Sequence, residues 1–341
     1  MFTKVLIANR GEIAVRVIRT LKRMGIASVA VYSDADRFSK PALTADEAVR
    51  LGPAPAAESY LDVDAVIAAC KATGAEAVHP GYGFLSENIG FAERLAAEGI
   101  AFIGPRPEHL SAFGLKHTAR ELAKASGVPL LPGTDLLQSV DEALSAAETV
   151  GYPVMLKSTA GGGGIGMQLC TDAAGLKASF ESVQRTARAS FGDARVYIER
   201  FVAEARHVEV QIFGDGKGGV IALGERDCSL QRRNQKVVEE TPAPGLSAET
   251  RARLHKAAVD LGSSVSYESA GTVEFIYDPQ RQEFYFLEVN TRLQVEHPDT
   301  EAVFGIDLVE WMIRQAAGED VLSGARSLTP KGAAIEMRIY A

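Results

Sequence analysis

The 341-residue sequence has only three cysteines and one tryptophan, and it has fewer basic than acidic residues. Cys70, Cys170 and Cys228 lie far apart, which argues against a zinc motif or a disulfide framework and favours a reducing cytoplasm. Thirty-six Lys and Arg against 44 Asp and Glu leave a net charge of −8, which argues against nucleic-acid binding through overall charge. No apolar run approaches the roughly 20 residues of a transmembrane helix, so we expect no membrane partner.

What the sequence does contain is the composition of an ordinary globular protein, with 46% hydrophobic and 23% charged residues. In the N-terminal part, apolar strand patterns such as Val5–Ala8 and Ala27–Tyr32 alternate with amphipathic helix patterns. This alternation predicts a doubly wound parallel sheet over residues 1–114. Further along, we expect a linking helix, a small α+β subdomain and a lobe built on an antiparallel sheet.

Two stretches, residues 161–166 and 214–219, match the G-x-G-x-x-G spacing of dinucleotide-binding loops. Both are followed by a strand pattern rather than a helix, which excludes that fingerprint, and we interpret 214–219 as a hairpin turn. The four glycines Gly161–Gly164 follow Lys157 closely and lie between two apolar strands. We favour a lid over a polyphosphate, because glycine amides reach phosphate oxygens without a Cβ in the way; a flexible linker is the alternative.

Two acidic residues lie on segments that fold back on each other. If the hairpin of residues 271–278 and 283–290 is symmetric about residue 281, Glu274 lies directly opposite Glu288, with Asn290 on the same face. Paired carboxylates repel each other, and Mg²⁺ would turn that repulsion into ligation. The alternative is a solvated face, which the aromatic-rich second segment disfavours because it indicates a central strand.

A run of cations follows in this acidic chain, at residues 231–236. A surface patch is the usual explanation of such a run. A loop that carried Lys236 towards Arg292 would instead bind a small oxyanion, with the amide of Gln294 nearby. Glu296 is then a candidate general base if it reaches the proton of that anion, and an exposed acid is the alternative.

Several segments together resemble biotin carboxylase, the ATP-grasp component of biotin-dependent carboxylases. They are residues 5–14 (VLIANRGEIA), 79–88 (HPGYGFLSEN), the glycine stretch, 225–233 (ERDCSLQRR) and 288–297 (EVNTRLQVEH). The resemblance implies an ATP-grasp fold with an N-terminal domain (1–114), a linker helix (115–130), a lid subdomain (131–201) and a C-terminal lobe (202–341). Because the family's domain continues past the position of Ala341, we expect this lobe to be incomplete.

The resemblance also implies a reaction. ATP would phosphorylate bicarbonate to carboxyphosphate, which yields CO₂ and phosphate, and biotin would be carboxylated at a ureido nitrogen. The implied cofactors are ATP with a pair of Mg²⁺ or Mn²⁺ ions, and biotin as a carrier-bound substrate that is not attached to this chain. The implied partners are a biotinyl carrier domain and a carboxyltransferase on another domain or chain, and the family allows a homodimer.

Residue by residue, the resemblance assigns roles in the site. The implied ATP-binding residues are Lys116, Lys157, Gly161, Gly162, Gly163, Gly164, Glu199, Phe201, Val202, His207, Gln231 and Asn234. The implied metal ligands are Glu274, Glu288 and Asn290, and the implied bicarbonate pocket consists of Lys236, Arg292, Gln294 and Val295. Glu296 is the implied base, Arg338 would stabilise the biotin enolate, and Tyr82 would line the biotin pocket.

Residues 113–120, 157–160 and 233–236 look more like the urea carboxylase branch than the acyl-CoA carboxylases. The acyl-CoA branch is the alternative, because a carboxyltransferase domain chooses the final acceptor. Another ATP-grasp ligase that forms an acyl phosphate is a second alternative, although it would not need the run from Arg292 to Glu296. A nucleotide-binding fragment without turnover is a third, since Asp299 adds a carboxylate near the bicarbonate pocket.

Overall fold

The structure is a computed structural model that describes residues 1–158, 166–191, 194–233, 235–325 and 327–340. Its strands are β1 Lys4–Ile7, β2 Ala27–Ser33, β3 Glu47–Gly52, β4 Ala77–His79, β5 Ala101–Phe102, β6 Val154–Ser158, β7 Met167–Cys170, β8 Val196–Arg200, β9 Arg206–Asp215, β10 Val220–Arg232, β11 Gln235–Thr241, β12 Glu268–Asp278, β13 Glu283–Asn290 and β14 Ala334–Met337. Its helices are α1 Gly11–Met24, α2 Lys40–Thr44, α3 Val63–Thr73, α4 Ile89–Ala97, α5 Pro107–Gly114, α6 Lys116–Ala125, α7 Val140–Val150, α8 Ala173–Phe191, α9 Ala248–Ser264, α10 His297–Phe304 and α11 Leu308–Ala316. None of the helices in these ranges is both long enough and apolar enough to span a bilayer.

The N-terminal sheet has the strand order β3-β2-β1-β4-β5, and its paired strands are parallel. This confirms the predicted doubly wound sheet, and β3 is an additional strand that the sequence analysis did not locate. The loop that follows β4 carries Tyr82 and is held by Asn9, whose side-chain amide donates to the carbonyls of Pro80 (2.7 Å) and Tyr82 (2.8 Å). Loops at the carboxyl ends of parallel strands commonly form ligand sites.

The small sheet has the order β7-β6-β8 and is antiparallel. Helices α7 and α8 pack on it through a core that includes Leu156, Leu176 and Ile198. Ser139 caps α7 by accepting a hydrogen bond from the backbone of Glu142 (3.2 Å). Strands β6 and β7 pair on either side of the glycine stretch, so the predicted hairpin is confirmed, while Gly161–Gly164 themselves lie outside the described residues.

The large sheet has the order β13-β12-β9-β10-β11-β14 and is antiparallel. Residues 214–219 form the predicted turn between β9 and β10. The prediction that β13 is central is wrong, because β13 is an edge strand. Its aromatic side chains are buried because the segment before α7 covers that edge, where the amide of Phe286 donates to the carbonyl of Pro129 (2.7 Å).

The register of the β12–β13 hairpin places Glu274 directly opposite Glu288, as predicted. The turn at residues 279–282 pairs Phe275 with Phe286, and an irregularity at Leu287 then shifts the register by one residue. Without this bulge Glu274 would be opposite Leu287, and Glu288 would point to the other face of the sheet. The pairing therefore depends on the bulge and not only on the position of the turn.

Candidate active site

A cavity of about 630 Å³ lies where the N-terminal sheet, the small sheet and the large sheet meet. The predicted site residues that line it are Tyr82, Lys116, Lys157, Glu199, His207, Gln231, Lys236, Glu274, Glu288, Asn290, Arg292, Gln294, Val295, Glu296 and Arg338. Phe201 and Val202 are half-buried and are not among the described residues that line it. Asn234, like Gly161–Gly164, lies outside the described residues.

Lys236 is at the centre of the polar network of this cavity. Strand β11 directs its ammonium group between three carboxylates, and Nζ donates to Glu209 (2.5 Å), Glu274 (2.9 Å) and Glu296 (2.7 Å). Burial alone would lower the pKa of Lys236, but the three carboxylates outweigh burial and raise it. A single cation therefore connects the paired carboxylates to the candidate base.

Glu274 and Glu288 form an unequal pair. Glu274 is buried and accepts hydrogen bonds from Lys236, Asn290 (2.8 Å) and Gln294 (2.9 Å). Burial would raise the pKa of Glu274, but His207 and Lys236 outweigh burial and lower it. Burial and the charge of Glu274 raise the pKa of Glu288. A divalent cation that binds both carboxylates would relieve this repulsion, so the residues present fit such an ion.

His207 lies against Glu274, with Nε2 2.8 Å from a carboxylate oxygen. The resemblance implies that this histidine binds ATP, and the structure places it in contact with Glu274 of the carboxylate pair. Its other ring nitrogen is 3.0 Å from the side-chain amide of Gln231. Burial would lower the pKa of His207, but Glu274 outweighs burial and raises it.

The candidate anion site lies beside the carboxylate pair. Arg292 donates to Asn290 (2.8 Å) through Nη2 and to Glu87 (3.0 Å) through Nε. Glu296 is almost completely buried and lies between two cations, accepting from Lys236 on one oxygen and from Arg338 (3.0 Å) on the other. Lys236 and Arg292 thus line the same cavity, as the predicted oxyanion site requires. Hydrogen bonds through Glu274 and Asn290 connect the two cations.

At the other end of the cavity, Lys157 and Glu199 project from the adjacent strands β6 and β8. Lys157 Nζ donates to one oxygen of the Glu199 carboxylate (2.6 Å). Arg120, on α6, donates to the other oxygen. Lys116, at the start of the same helix, also lines the cavity, so several cations face this end.

Five residues of the site are absent from the sequence-based prediction of site residues. They are Glu87, Arg120, Glu209, Arg226 and Glu239. Arg226 is completely buried and donates to Glu209 (2.6 Å) and Gln294 (3.2 Å). It thereby positions Glu209 beside Lys236 and Gln294 beside Glu274. Glu209 is directly opposite Arg226 across β9 and β10, beyond an irregularity in the register. Strand periodicity would have found this pair only if the irregularity were known.

Comparison with known proteins identifies the class of this site. Residues 116–323 match the family model "Carbamoyl-phosphate synthase L chain, ATP binding domain", and residues 1–110 match "Biotin carboxylase, N-terminal domain". The chain is 50% identical to biotin carboxylase 2 of Bacillus subtilis and covers 77% of that protein. The chain therefore belongs to the biotin carboxylase family, whose members are ligases with an ATP-grasp fold.

Solved structures agree with this assignment. A biotin carboxylase–β,γ-ATP complex from Campylobacter jejuni is 44% identical, has a TM-score of 0.92, and matches 99% of this chain and 76% of that chain. The biotin carboxylase domain of the Hydrogenobacter thermophilus 2-oxoglutarate carboxylase, a dimer in complex with MgADP, ADP and bicarbonate, is 44% identical with a TM-score of 0.89. The match covers 99% of the present chain and 74% of the Hydrogenobacter thermophilus chain.

Within the family, the chain is similar to both urea and acyl-CoA enzymes. It is 57% identical to a urea amidolyase of Lachancea kluyveri over the whole chain, which covers 19% of that protein. It is 53% identical to the propionyl-CoA carboxylase alpha chain of Ruegeria pomeroyi, of which it covers 50%. The chain thus spans about a fifth of the length of the urea amidolyase.

Proposed function

We propose that this chain is the biotin carboxylase component of a urea carboxylase, which uses ATP and bicarbonate to carboxylate biotin on a carrier domain. The observation that carries the proposal is the position of Lys236, which bonds Glu274 of the carboxylate pair and the candidate base Glu296. Arg292 and Arg338 line the same cavity. This arrangement supplies a metal site, an anion site and a base within reach of one another.

The chemistry starts with bicarbonate held by Lys236, Arg292, Gln294 and the backbone of Val295. Glu296 takes the proton of bicarbonate, and the resulting oxyanion attacks the γ-phosphorus of ATP. The bond from that phosphorus to the bridging oxygen breaks, so that ADP leaves and carboxyphosphate forms. Carboxyphosphate then splits into CO₂ and phosphate, the phosphate takes the ureido proton of biotin, and the ureido nitrogen attacks CO₂. Arg338 stabilises the enolate of biotin, and Tyr82 lines its pocket.

The nucleotide and the metal occupy the remaining part of the cavity. Glu274, Glu288 and Asn290 would hold a pair of Mg²⁺ or Mn²⁺ ions, which neutralise phosphate charge when bound. The proposed ATP-binding residues are Lys116, Lys157, His207 and Gln231, the adenine hinge of Glu199, Phe201 and Val202, and, outside the described residues, Gly161–Gly164 and Asn234. The ATP-binding family match and the MgADP bound to the Hydrogenobacter thermophilus structure support this assignment.

The proposed partners are a biotinyl carrier domain and a carboxyltransferase on another domain or chain. The share of the urea amidolyase that this chain spans supports such an arrangement, and the dimeric Hydrogenobacter thermophilus domain supports a homodimer. Cys70, Cys170 and Cys228 are free and buried, which supports a reducing compartment such as the cytoplasm. The proposed domains remain 1–114, 115–130, 131–201 and 202–341.

The test of the proposed reaction is ADP release measured with and without bicarbonate and free biotin. We expect ADP release to require bicarbonate, to increase with biotin, and to be lost in Glu296→Gln. Glu93→Gln, on the exposed face of α4, is the matched control and should retain the wild-type rate. Bicarbonate-independent hydrolysis that persists in Glu296→Gln would refute the proposal. Turnover of another carboxylate without biotin would favour a different ATP-grasp ligase, and Mg-ATP binding without hydrolysis would favour an inactive fragment.

The acceptor is tested separately. Carboxylated carrier would be presented to the carboxyltransferase of the same protein with either urea or propionyl-CoA. The 57% identity with a urea amidolyase supports transfer to urea, whereas the 53% identity with a propionyl-CoA carboxylase makes the acyl-CoA the alternative acceptor. Transfer to propionyl-CoA alone would refute the urea assignment and leave the biotin carboxylase reaction intact.

A further inference from the structure

At the nucleotide end of the cavity, two cations share a single carboxylate. Glu199 is buried, and its two oxygens accept separately from Lys157 (2.6 Å) and from Arg120. Arg120 comes from α6 and Lys157 from β6, and both side chains line the cavity together with Glu199. The resemblance assigns Lys157 and Glu199 to the ATP site and assigns no role to Arg120.

The charges of these three groups have a consequence for a polyphosphate. The guanidinium of Arg120 is always ionised and compensates the charge of the Glu199 carboxylate. The single negative charge of Glu199 cannot neutralise both Arg120 and Lys157. The three groups together therefore carry one net positive charge, and it faces the cavity. Without Arg120, the buried Glu199 would bind Lys157 as a neutral pair, and phosphates would have to compete with that carboxylate for the ammonium group.

We propose that Arg120 is a positioning residue of the nucleotide site, which binds Glu199 and thereby leaves the charge of Lys157 available to nucleotide phosphates. The proposal rests on the ATP site described under the proposed function. It differs from a structural role, in which the Arg120–Glu199 ion pair only attaches α6 to the small sheet. A structural role would affect all ligands of the cavity alike, whereas the proposed role concerns phosphates alone.

The test is the ratio of the affinities for Mg-ATP and for adenosine, measured by calorimetry on the 341-residue chain. We expect Arg120→Met to weaken the affinity for Mg-ATP about ten-fold or more, which is the usual effect of losing a charged hydrogen bond. The affinity for adenosine should change less than about two-fold. Arg120→Lys should retain most of the affinity because it retains the charge. In the Glu199→Gln background, adding Arg120→Met should change the ratio by less than about three-fold, because no carboxylate remains to neutralise Lys157.

The outcomes separate this proposal from the proposed function. If the wild-type chain does not bind Mg-ATP, the nucleotide site itself is wrong. If it binds, an unchanged ratio in Arg120→Met overturns the role of Arg120 alone. The same conclusion follows if Arg120→Met lowers the ratio as much in the Glu199→Gln background as in the wild type. Should Arg120→Met fail to fold, Arg120→Gln decides, because glutamine removes the charge that compensates Glu199; a wild-type ratio in Arg120→Gln overturns the role of Arg120.

Discussion

Replacing Glu288 by glutamine should stabilise the fold and abolish turnover at the same time. Glu274 and Glu288 are directly paired across β12 and β13, and the charge of Glu274, added to burial, raises the pKa of Glu288. Glutamine keeps the size of the side chain but removes one of the two like charges. The repulsion between Glu274 and Glu288 therefore lowers the stability of the fold, while both carboxylates are needed for the proposed binding of a cation. This is a conflict between stability and function.

The size of the effect follows from the contacts of the pair. Two charges about 5 Å apart at an effective dielectric constant of about 20 repel by about 3 kcal/mol. Lys236 and His207 already compensate much of the charge of Glu274, so we expect a gain of about 1 kcal/mol in the free energy of unfolding, the upper end for cross-strand pairs. Because Glu288 is a proposed metal ligand, its loss should lower turnover by about 100-fold or more.

The assay combines urea denaturation with bicarbonate-dependent ADP release. Mg-ATP should increase the stability of the wild type through binding to the folded state, and should increase that of Glu288→Gln much less. Glu288→Lys should behave similarly, because it places a cation opposite Glu274, and Glu93→Gln should change neither property. A Glu288→Gln variant that is less stable than the wild type, or that retains turnover, would refute the role of the pair.

Three further predictions concern Arg338, Glu87 and Asp299. Arg338→Ala should leave the Mg-ATP dissociation constant within about two-fold but slow biotin carboxylation at least about ten-fold, because Arg338 contacts Glu296 and Glu239. A large loss of ATP affinity in calorimetry would contradict this prediction. Glu87→Gln should raise the KM for bicarbonate about three- to ten-fold and leave the KM for ATP unchanged, because Glu87 holds Arg292; steady-state kinetics in which both rise equally would count against it. Burial raises the pKa of Asp299 to about 6, so its contribution to stability is present in acid and is lost as pH rises from about 4 through 6. Asp299→Asn should therefore gain about 1–2 kcal/mol over the wild type in urea denaturation between pH 4.5 and pH 7.5, and a pH-independent difference would refute the shift.

Features that depend on neighbouring residues could be predicted from the sequence. Sequence patterns predicted a strand over residues 283–290 and a linking helix, and the structure has β13 and α6 there. The strand pattern after the glycine stretch excluded a dinucleotide loop, in agreement with the β6–β7 hairpin. Each of these features is decided by spacing along the chain, because helix and strand periodicities are local properties.

Some features of the site depend on register, which spacing along the chain does not reveal. The pairing of Glu274 with Glu288 was predicted from a symmetric hairpin, but the structure reaches it through a bulge. The bulge at Leu287 brings Glu288 to the face of Glu274, and a similar irregularity in β10 brings Arg226 opposite Glu209. A bulge inserts one residue at a position that sequence spacing does not reveal, and it reverses the face of every residue beyond it. The edge position of β13 also depends on a distant segment, at Pro129, that covers it.

The sequence by itself determined the local elements, the acidic and basic residues available for chemistry, and the motifs that resemble a family. Only the tertiary structure decided that Lys236 lies between Glu209, Glu274 and Glu296, and that Arg120 and Lys157 share Glu199. The physical reason is distance along the chain: these partners come from different strands and helices. Burial in a common cavity, and not spacing, sets which charge compensates which.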